Sequence, residues 1–305
     1  MKVYVAGSKG FVGQGILKKL NECKYEVITT PRELDLRNMY LVKSFFEKNK
    51  PEWVFDCAAV VGGISKNIKE PYKFLLDNLQ IQNNIIDFSI QYGVKKVLFL
   101  GSSCIYPKDY RQPLVEEDLL AAPLEPTNEG YAIAKIAGLK LCEYANRTQN
   151  NTKFISLMPC NLYGPGDHFD LERSHVLSAL VKKIVDAHIT GQKNVEVWGS
   201  GNPKREWLYI DDLADGAIWA MNNLESTSTF LNIGVGVDIS IKYLAEKISC
   251  LVGYTGELYF NTSKPEGMMK KCLDVSKINQ LGWKAKTPFE KGLQETIEYY
   301  RSIRG

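Results

Sequence analysis

The sequence lacks the marks of several protein classes. Its seven cysteines are scattered, and none are spaced as C-x-x-C, so neither a zinc site nor a disulfide framework is predicted. No apolar run approaches the roughly 18 residues that a membrane-spanning helix needs. Residues 1–7 enter a strand pattern without the basic region and long apolar stretch of a secretory signal. We therefore expect a cytoplasmic protein with no membrane span and no metal.

Charge of one sign is also scarce. The chain has 38 Lys and Arg against 35 Asp and Glu, a formal net charge of +3. Nucleic-acid binding usually needs a strongly basic, one-faced balance, so we expect no nucleic-acid partner. With 305 residues, 45% of them hydrophobic, the chain is long enough for one extended domain or two lobes that share a cleft.

Short β-rich runs alternate with longer helical patterns in the first half of the chain. Strands are predicted at 3–6, 26–29, 53–57, 97–100 and 154–157, and helices at 11–23, 39–48, 71–92 and 131–147. This alternation predicts an α/β fold, a Rossmann-type doubly wound parallel sheet. After about residue 165 the rhythm loosens, with one clear strand at 195–198. We expect a dinucleotide-binding domain over 1–163, with a return segment at about 206–232, and a smaller, interleaved C-terminal substrate-binding lobe in most of 164–305.

A glycine-rich turn follows the first strand and opens the first helix. Gly7, Gly10 and Gly13 form a G-x-x-G-x-x-G spacing. Glycines allow a tight turn and close approach of backbone N–H groups to a pyrophosphate, whose charge also favours a helix N-terminus. The order of strand, glycines and helix predicts a dinucleotide site.

The end of the second strand bears on the cofactor. An acid there would hold the ribose 2′-hydroxyl of NAD, but residues 27–32 contain none. Lys9 and Arg32 could instead meet a 2′-phosphate, which favours NADP, or could be solvated surface residues. Asp35 could hydrogen-bond the adenine amino group or simply cap a turn.

Tyr131 and Lys135 stand four residues apart in a helical pattern, so their side chains share one face. A phenol has a pKa near 10, and an adjacent ammonium group lowers that pKa toward a working range for proton transfer. Such pairs also occur on solvated helices. Ser102, at the carboxyl edge of the fourth strand, lies where such folds place their ligands, and its hydroxyl can orient a carbonyl oxygen.

Together, the glycine turn, Ser102 and the Tyr131/Lys135 pair resemble the short-chain dehydrogenase/reductase superfamily, in its extended branch of sugar-nucleotide enzymes. The resemblance sharpens to the GDP-L-fucose synthase family and covers nearly the whole chain; the runs that carry it most clearly are 101–107, 124–129, 131–138, 161–167, 174–176 and 198–201. The resemblance implies use of NADPH to epimerise C3 and C5 of a GDP-4-keto-6-deoxy sugar and then to reduce C4. It makes Tyr131 the proton donor to the C4 oxygen, Lys135 its pKa partner and ribose contact, and Ser102 the carbonyl orienter.

The resemblance also implies an acid/base pair for epimerisation, Cys104 and His175. If the segment after Ser102 stays extended, side chains two apart share a face, and Cys104 points into the same pocket as Ser102. The alternative is that Cys104 is a small buried hydrophobe and His175 a hydrogen-bonded structural residue.

The remaining expected contacts are of two kinds. Cofactor contacts are expected at Gly7, Lys9, Gly10, Phe11, Val12, Gly13, Arg32, Asp35, Leu36, Ala58, Ala59, Leu100, Gly101, Ser102, Tyr131, Lys135, Pro159, Asn161 and Leu162. Contacts with the GDP-sugar are expected at Ser103, Cys104, Asn161, His175, Val176, Lys183, Trp198 and Arg205.

The sequence departs from the family pattern at several positions. Lys9 and Lys183 stand where Arg is usual, Gly130 replaces a proline, and the segment 263–270 contains two methionines that could reshape the sugar pocket. A runner-up function is therefore C4 reduction of a GDP-4-keto-6-deoxy-heptose with little or no epimerisation. A third hypothesis is a catalytically silent nucleotide-binding scaffold. The family resemblance further implies a homodimer formed through helices 71–92 and 131–147.

Overall fold

The structure is a computed structural model that describes residues 1–149, 151–171, 174–227, 229–264 and 267–304. Its centre is a six-stranded sheet in the order β2-β1-β3-β4-β5-β9, with every neighbouring pair parallel. The strands are β1 Lys2–Ala6, β2 Glu26–Thr29, β3 Trp53–Asp56, β4 Lys96–Leu100, β5 Lys153–Pro159 and β9 Leu231–Ile233. Strands β1, β3, β4 and β5 are almost continuously buried, as parallel strands covered on both faces require. The predicted fold class, a Rossmann-type doubly wound parallel sheet, is confirmed.

Helices connect these strands and cover the sheet. They are α1 Phe11–Glu22, α2 Met39–Asn49, α3 Ile64–Lys69, α4 Pro71–Gln91, α5 Glu129–Thr148 and, later in the chain, α7 Ile210–Asn223. Helix α1 packs against α7, whereas α4 packs against both α2 and α5. None of the helices among the described residues is long and apolar enough to cross a membrane.

A second apolar core forms from the later part of the chain. The remaining elements of the chain are β6 Asn161–Tyr163, α6 Val176–Thr190, β7 Asn194–Trp198, β8 Lys204–Tyr209, β10 Asp238–Ser240, α8 Ile241–Val252, β11 Glu257–Asn261, β12 Lys270–Lys271, α9 Ser276–Gln280 and α10 Phe289–Ile303. Of these, α9 contributes Ile278 to the first core. Strand β8 pairs with β6, β10 and β12, and β7 pairs with β11. The apolar faces of α6, α8 and α10 meet in this core. Side chains of α7 and β9 belong to the first core instead. This return matches the interleaving that we expect, and the exact domain bounds stay a prediction.

The segment after Ser102 does not stay extended, so that expectation is wrong. Residues Ser103–Ile105 form a single 3₁₀ turn, and the backbone N–H of Cys104 donates to the Ser102 hydroxyl at 3.2 Å. Serine often caps a turn in this way because its short side chain reaches the next free N–H groups. The direction of the Cys104 side chain therefore depends on the turn and not on strand alternation.

Candidate functional site

The glycine turn after β1 brings backbone segments too close for side chains. Gly7 has a φ of +72°, and a Cβ there would lie 2.8 Å from the Ala58 Cα. A Cβ on Gly13 would lie 2.2 Å from the Gly7 carbonyl oxygen, whereas one on Gly10 would meet that oxygen at 3.4 Å, closer than most contacts yet far less severe. Gly10 caps the N-terminus of α1, whose first turn contains no acidic residue. These residues fit the pyrophosphate of a dinucleotide, because the turn is as tight as that cradle requires and faces a helix N-terminus.

Two hydroxyl groups that the sequence analysis missed stabilise this turn. The backbone N–H of Gly7 donates to the Thr30 hydroxyl at 3.2 Å, and that hydroxyl also bonds to the Val5 carbonyl at 3.3 Å. The backbone N–H of Thr30 donates in turn to the Ser8 hydroxyl at 3.0 Å. No spacing rule predicts these bonds, because they join β1 to the end of β2.

The residues after β2 have distinct surroundings. Lys9 and Arg32 are exposed, which fits both of their predicted alternatives. Asp35 accepts the backbone N–H of Arg37 at 3.0 Å and forms a 2.8 Å ion pair with its guanidinium group. Arg37 lowers the pKa of Asp35. The structure thus shows Asp35 in the turn-capping role, next to the buried Leu36.

Three of the expected catalytic groups meet beyond the end of β4. The Tyr131 phenol, from the first turn of α5, hydrogen-bonds to the Ser102 side chain, and Cys104 lies near it. Because burial outweighs the Ser102 hydrogen bond, the pKa of Tyr131 is raised above its ordinary value. The expectation of a pKa lowered by Lys135 is therefore wrong for this structure.

Lys135 lies deeper in the protein than Tyr131, with its ammonium group held away from the phenol. Its charge therefore does not lower the pKa of Tyr131. Its ammonium group donates to the Leu100 carbonyl at 2.8 Å and lies 6.0 Å from the centre of the Tyr131 ring. The residue is 3% exposed, and burial lowers its pKa while the charge of Asp56 opposes that shift. The pair shares one helical face, as the spacing predicts, with Lys135 anchored to the end of β4.

The Cys104 thiol has two polar neighbours that the sequence analysis did not single out. The side-chain amide of Asn128 donates to the sulfur at 3.2 Å, and the Lys271 ammonium lies 3.9 Å from it. The guanidinium group of Arg205 also lies near Cys104, and burial lowers the pKa of Arg205. In the segment 263–270 the sequence draws attention to two methionines. The lysine that lies near Cys104, Lys271, immediately follows that segment.

His175 precedes α6 beside a carboxyl group. Asp167 accepts the backbone N–H of His168 at 2.7 Å and a hydrogen bond from the Ser178 hydroxyl. His175 retains exposed surface, yet its ring lies among enough protein atoms for desolvation to lower its pKa; Asp167 opposes this shift and Lys271 adds to it. Lys271 is therefore the group whose charge lies near both Cys104 and His175.

Lys183 and Trp198 come together beside β7. The Lys183 ammonium lies 5.7 Å from the centre of the Trp198 ring and donates to the Glu196 carbonyl at 3.0 Å. Lys264, which the sequence analysis did not name as a site residue, lies 5.3 Å from the same ring. Trp198 is 52% exposed, so one end of a ligand could stack there beside two cations. Pro265 and Glu266, in the segment with the two methionines, lie outside the described residues.

The other expected contact residues lie at strand ends, in the turn after β4 and in the first turns of α1 and α6. Asn161 donates its side-chain amide to the Glu206 carbonyl at 2.9 Å. A Cβ on Gly101 would lie 2.1 Å from the Met158 sulfur. Ala58, Leu100, Ser103 and Pro159 are buried, Phe11, Val12, Ala59 and Leu162 are partly buried, and Val176 is exposed. No group of three His, Cys, Asp or Glu residues among those described could hold a metal ion.

The sequence and fold match known proteins over nearly the full chain. The profile of the NAD dependent epimerase/dehydratase family matches residues 3–234. GDP-L-fucose synthase 1 of Arabidopsis thaliana is 47% identical over 301 residues, 98% of this chain and 93% of that protein. The chain belongs to the GDP-L-fucose synthase family. Two solved structures are similar to this chain over nearly its full length.

A GDP-L-fucose synthetase from Naegleria fowleri bound to NADP has a TM-score of 0.90 and 31% identity, covering 99% of this chain and 93% of that one. A GDP-6-OMe-4-keto-L-xylo-heptose reductase from C. jejuni has a TM-score of 0.93 and 37% identity, covering 99% and 97%. The family membership predicted from the sequence is confirmed, and these two relatives span both the hexose and the heptose hypotheses.

Proposed function

We propose that this protein is an NADPH-dependent oxidoreductase that reduces the C4 ketone of a GDP-4-keto-6-deoxy sugar, with epimerisation at C3 and C5, as a GDP-L-fucose synthase does. One observation carries the proposal: the Tyr131 phenol, the Ser102 hydroxyl and the Cys104 thiol meet at the carboxyl end of β4. The relatives that bear this activity in their names support it.

Each of the three groups has a task in this reaction. NADPH, when bound to the glycine turn, supplies the hydride that becomes the new C4 hydrogen. Ser102 orients the ketone oxygen, and Tyr131 donates the proton that completes the hydroxyl group. The raised pKa of Tyr131 keeps the phenol protonated at neutral pH, as a proton donor must be. Lys135 stabilises the negative charge that develops on the phenol oxygen as that proton leaves.

Epimerisation requires proton removal and return at carbons next to the ketone. We assign this work to Cys104 and His175, with Lys271 favouring negative charge between them because its ammonium group lies near both. Asn128 holds the sulfur in place. Lys183, Trp198, Lys264 and Arg205 are proposed to hold the GDP moiety, through stacking on the indole and charge pairing with the diphosphate.

The test combines turnover with isotope exchange. The purified protein is incubated with GDP-4-keto-6-deoxy-mannose and NADPH in deuterated water, and NADPH oxidation is followed by the fall in absorbance at about 340 nm. The product should carry solvent deuterium at C3 and C5 and a hydride from the cofactor at C4. Reduction without deuterium in the product would contradict the epimerase part. If NADPH is oxidised neither with this sugar nor with the corresponding GDP-4-keto-6-deoxy-heptose, the whole proposal is contradicted.

The runner-up is reduction of a GDP-4-keto-6-deoxy-heptose with little epimerisation. It is favoured by the TM-score of 0.93 with the C. jejuni heptose reductase, above the 0.90 with the fucose synthetase. Parallel assays with the hexose and heptose substrates separate the two, because the preferred sugar should show the higher kcat/KM.

A homodimer is also part of the proposal. Helices α4 and α5 pack against each other and expose Tyr72, Leu76, Leu141 and Tyr144, a set that a second copy of the chain would bury. The cytoplasmic location stays a prediction.

A further inference from the structure

A carboxyl group lies buried behind the site and has too few partners. Asp56 is the last residue of β3 and is 0% exposed. One of its oxygens accepts the backbone N–H of Ala58 at 3.3 Å, and the other has no hydrogen-bond partner among the residues that the structure describes. A buried carboxyl oxygen without a partner is costly and uncommon. Packing alone does not explain an aspartate here, since an apolar side chain would fill the same space without that cost.

The sheet places Asp56 beside Lys135. Asp56 pairs in register with Phe99 of β4, and directly paired residues project their side chains from the same face of a sheet. The Lys135 ammonium group lies 4.9 Å from the centre of the Phe99 ring and donates to the Leu100 carbonyl. The carboxyl group and the ammonium group therefore occupy the same dry region between β3, β4 and α5.

We infer that Asp56 is a positioning residue that serves as the buried counter-ion of Lys135 and so keeps its ammonium group charged behind Tyr131. This inference rests on the proposed function, because it gives the Lys135 charge a purpose in proton transfer. Asp56 acts on Lys135 and does not touch the reacting atoms. A neutral Lys135 would leave the developing charge on the Tyr131 oxygen without its cation, so loss of Asp56 slows reduction.

None of the other titratable groups described around Asp56 supplies a charge in place of Lys135. Cys57 follows it on the chain, Cys142 faces it from α5, and Tyr4 faces it from β1. Burial raises the pKa of all three above the ordinary value, so they are uncharged at neutral pH. The pKa of Asp56 itself is raised to about 6, by burial first and against the opposing charge of Lys135. At pH 7, above that pKa, the ionised form of Asp56 predominates. Lys135 is the cation that lies near it.

The first experiment measures Lys135 directly and needs no substrate. NMR of the side chains in lysine-labelled protein follows the titration of Lys135, whose signal is assigned by its loss in Lys135→Arg. Asp56→Asn should lower the Lys135 pKa by about one unit or more, as loss of a close opposite charge does. The matched control is Asp212→Asn, which removes another buried carboxyl group, one that accepts the Thr287 N–H at 2.9 Å. An unchanged Lys135 pKa in Asp56→Asn would overturn the inference.

The second experiment is kinetic. Asp56→Asn should reduce kcat for ketone reduction about tenfold or more, move the alkaline limb of the kcat profile to lower pH, and leave KM for NADPH within about twofold; this corresponds to the about one-unit change in the Lys135 pKa. In a Lys135→Met background the same substitution should change kcat no further, because the charge it supports is gone. Additive losses would point to a merely structural role and contradict the inference.

Two further controls separate a folding defect from loss of the counter-ion, and failure of the inference from failure of the proposed function. If Asp56→Asn does not fold, Asp56→Leu, which has the same branched side-chain shape and no polar atoms, carries the same predictions. If the wild-type protein reduces neither sugar but the Lys135 pKa still falls in the variant, the proposed function is wrong and the counter-ion pairing is supported.

Discussion

The side-chain amide of Asn128 donates a hydrogen bond to the sulfur of Cys104 at 3.2 Å. Asn128 ends a 3₁₀ turn, Pro126–Asn128, that leads directly into α5, and Cys104 lies in the turn after β4. The contact therefore fastens the segment before Tyr131 to the segment that contains Ser102. Residues from two distant parts of the chain are held in one geometry by this bond.

Removing that amide should affect epimerisation more than reduction. We expect Asn128→Ala to slow solvent-deuterium exchange at C3 and C5 about tenfold, since a lost hydrogen bond near a reacting group costs roughly 1–2 kcal/mol. Reduction of a substrate that is already epimerised should change by less than about threefold. Asn223→Ala is the control, because its amide donates to a carbonyl of its own helix, that of Trp219. Equal loss of both activities would show that Asn128 positions the whole site.

Replacing the Cys104 thiol tests whether this residue serves epimerisation and not reduction. Cys104→Ser keeps a similar shape but removes the more acidic and nucleophilic group, so exchange at the sugar carbons should fall at least about a hundredfold, the range for loss of an acid or base. Reduction of the pre-epimerised sugar should persist. The measurement is deuterium incorporation by NMR alongside NADPH oxidation. Undiminished exchange in the variant would remove Cys104 from the epimerase mechanism.

Tyr131 should matter for chemistry and not for cofactor binding. Tyr131→Phe is expected to lower kcat for reduction by about two to four orders of magnitude, because it deletes the proton donor, while the Kd for NADPH stays nearly constant. The raised pKa of Tyr131 means that the phenol holds its proton below that pKa, so its own ionisation should not reduce activity between about pH 6 and 9. An alkaline fall within that range therefore reports another group, such as Lys135. Wild-type turnover by Tyr131→Phe would exclude the assigned role.

The glycine turn offers a matched pair of substitutions. A Cβ on Gly13 would lie 2.2 Å from the Gly7 carbonyl oxygen, whereas one on Gly10 would lie 3.4 Å from that oxygen and so has more room. Gly13→Ala must therefore open the turn, and we expect a loss of about 1–3 kcal/mol of stability together with a large rise in the Kd for NADPH. Gly10→Ala should alter both far less. Thermal melting and fluorescence titration with NADPH measure the two effects, and similar behaviour of both variants would mean that the turn relaxes easily.

The exposed apolar groups on α4 and α5 predict the oligomeric state. Wild-type protein should have the mass of a dimer by light scattering after size exclusion. Tyr144→Asp places a charge on a side chain that is 51% exposed on α5 and should give monomers. Ile189→Asp is the control, because Ile189 is 53% exposed on α6, away from this face. A dimer that survives Tyr144→Asp unchanged would locate the interface elsewhere.

The sequence alone was sufficient for the frame of this protein. Parallel strands and their covering helices have strong local patterns, and glycine spacing reports a tight turn because no other residue fits it, so the sheet, the phosphate turn and the Tyr131/Lys135 face were all predictable. Residues whose role depends on one helix or one turn are visible in this way. The family resemblance then named the reaction and its residues.

Only the tertiary structure decided which groups surround those residues. Lys271 meets Cys104 across 167 positions of sequence, and Thr30 reaches Gly7 across 23; no periodicity links positions so far apart. The same holds for the pKa of Tyr131, which the sequence predicts to be lowered by Lys135 and the structure raises by burial. Burial and cross-strand register are properties of the packed sheet. They place Asp56 on the Phe99 side of the sheet, the side on which the Lys135 ammonium group lies, and leave its second oxygen without a hydrogen-bond partner among the described residues.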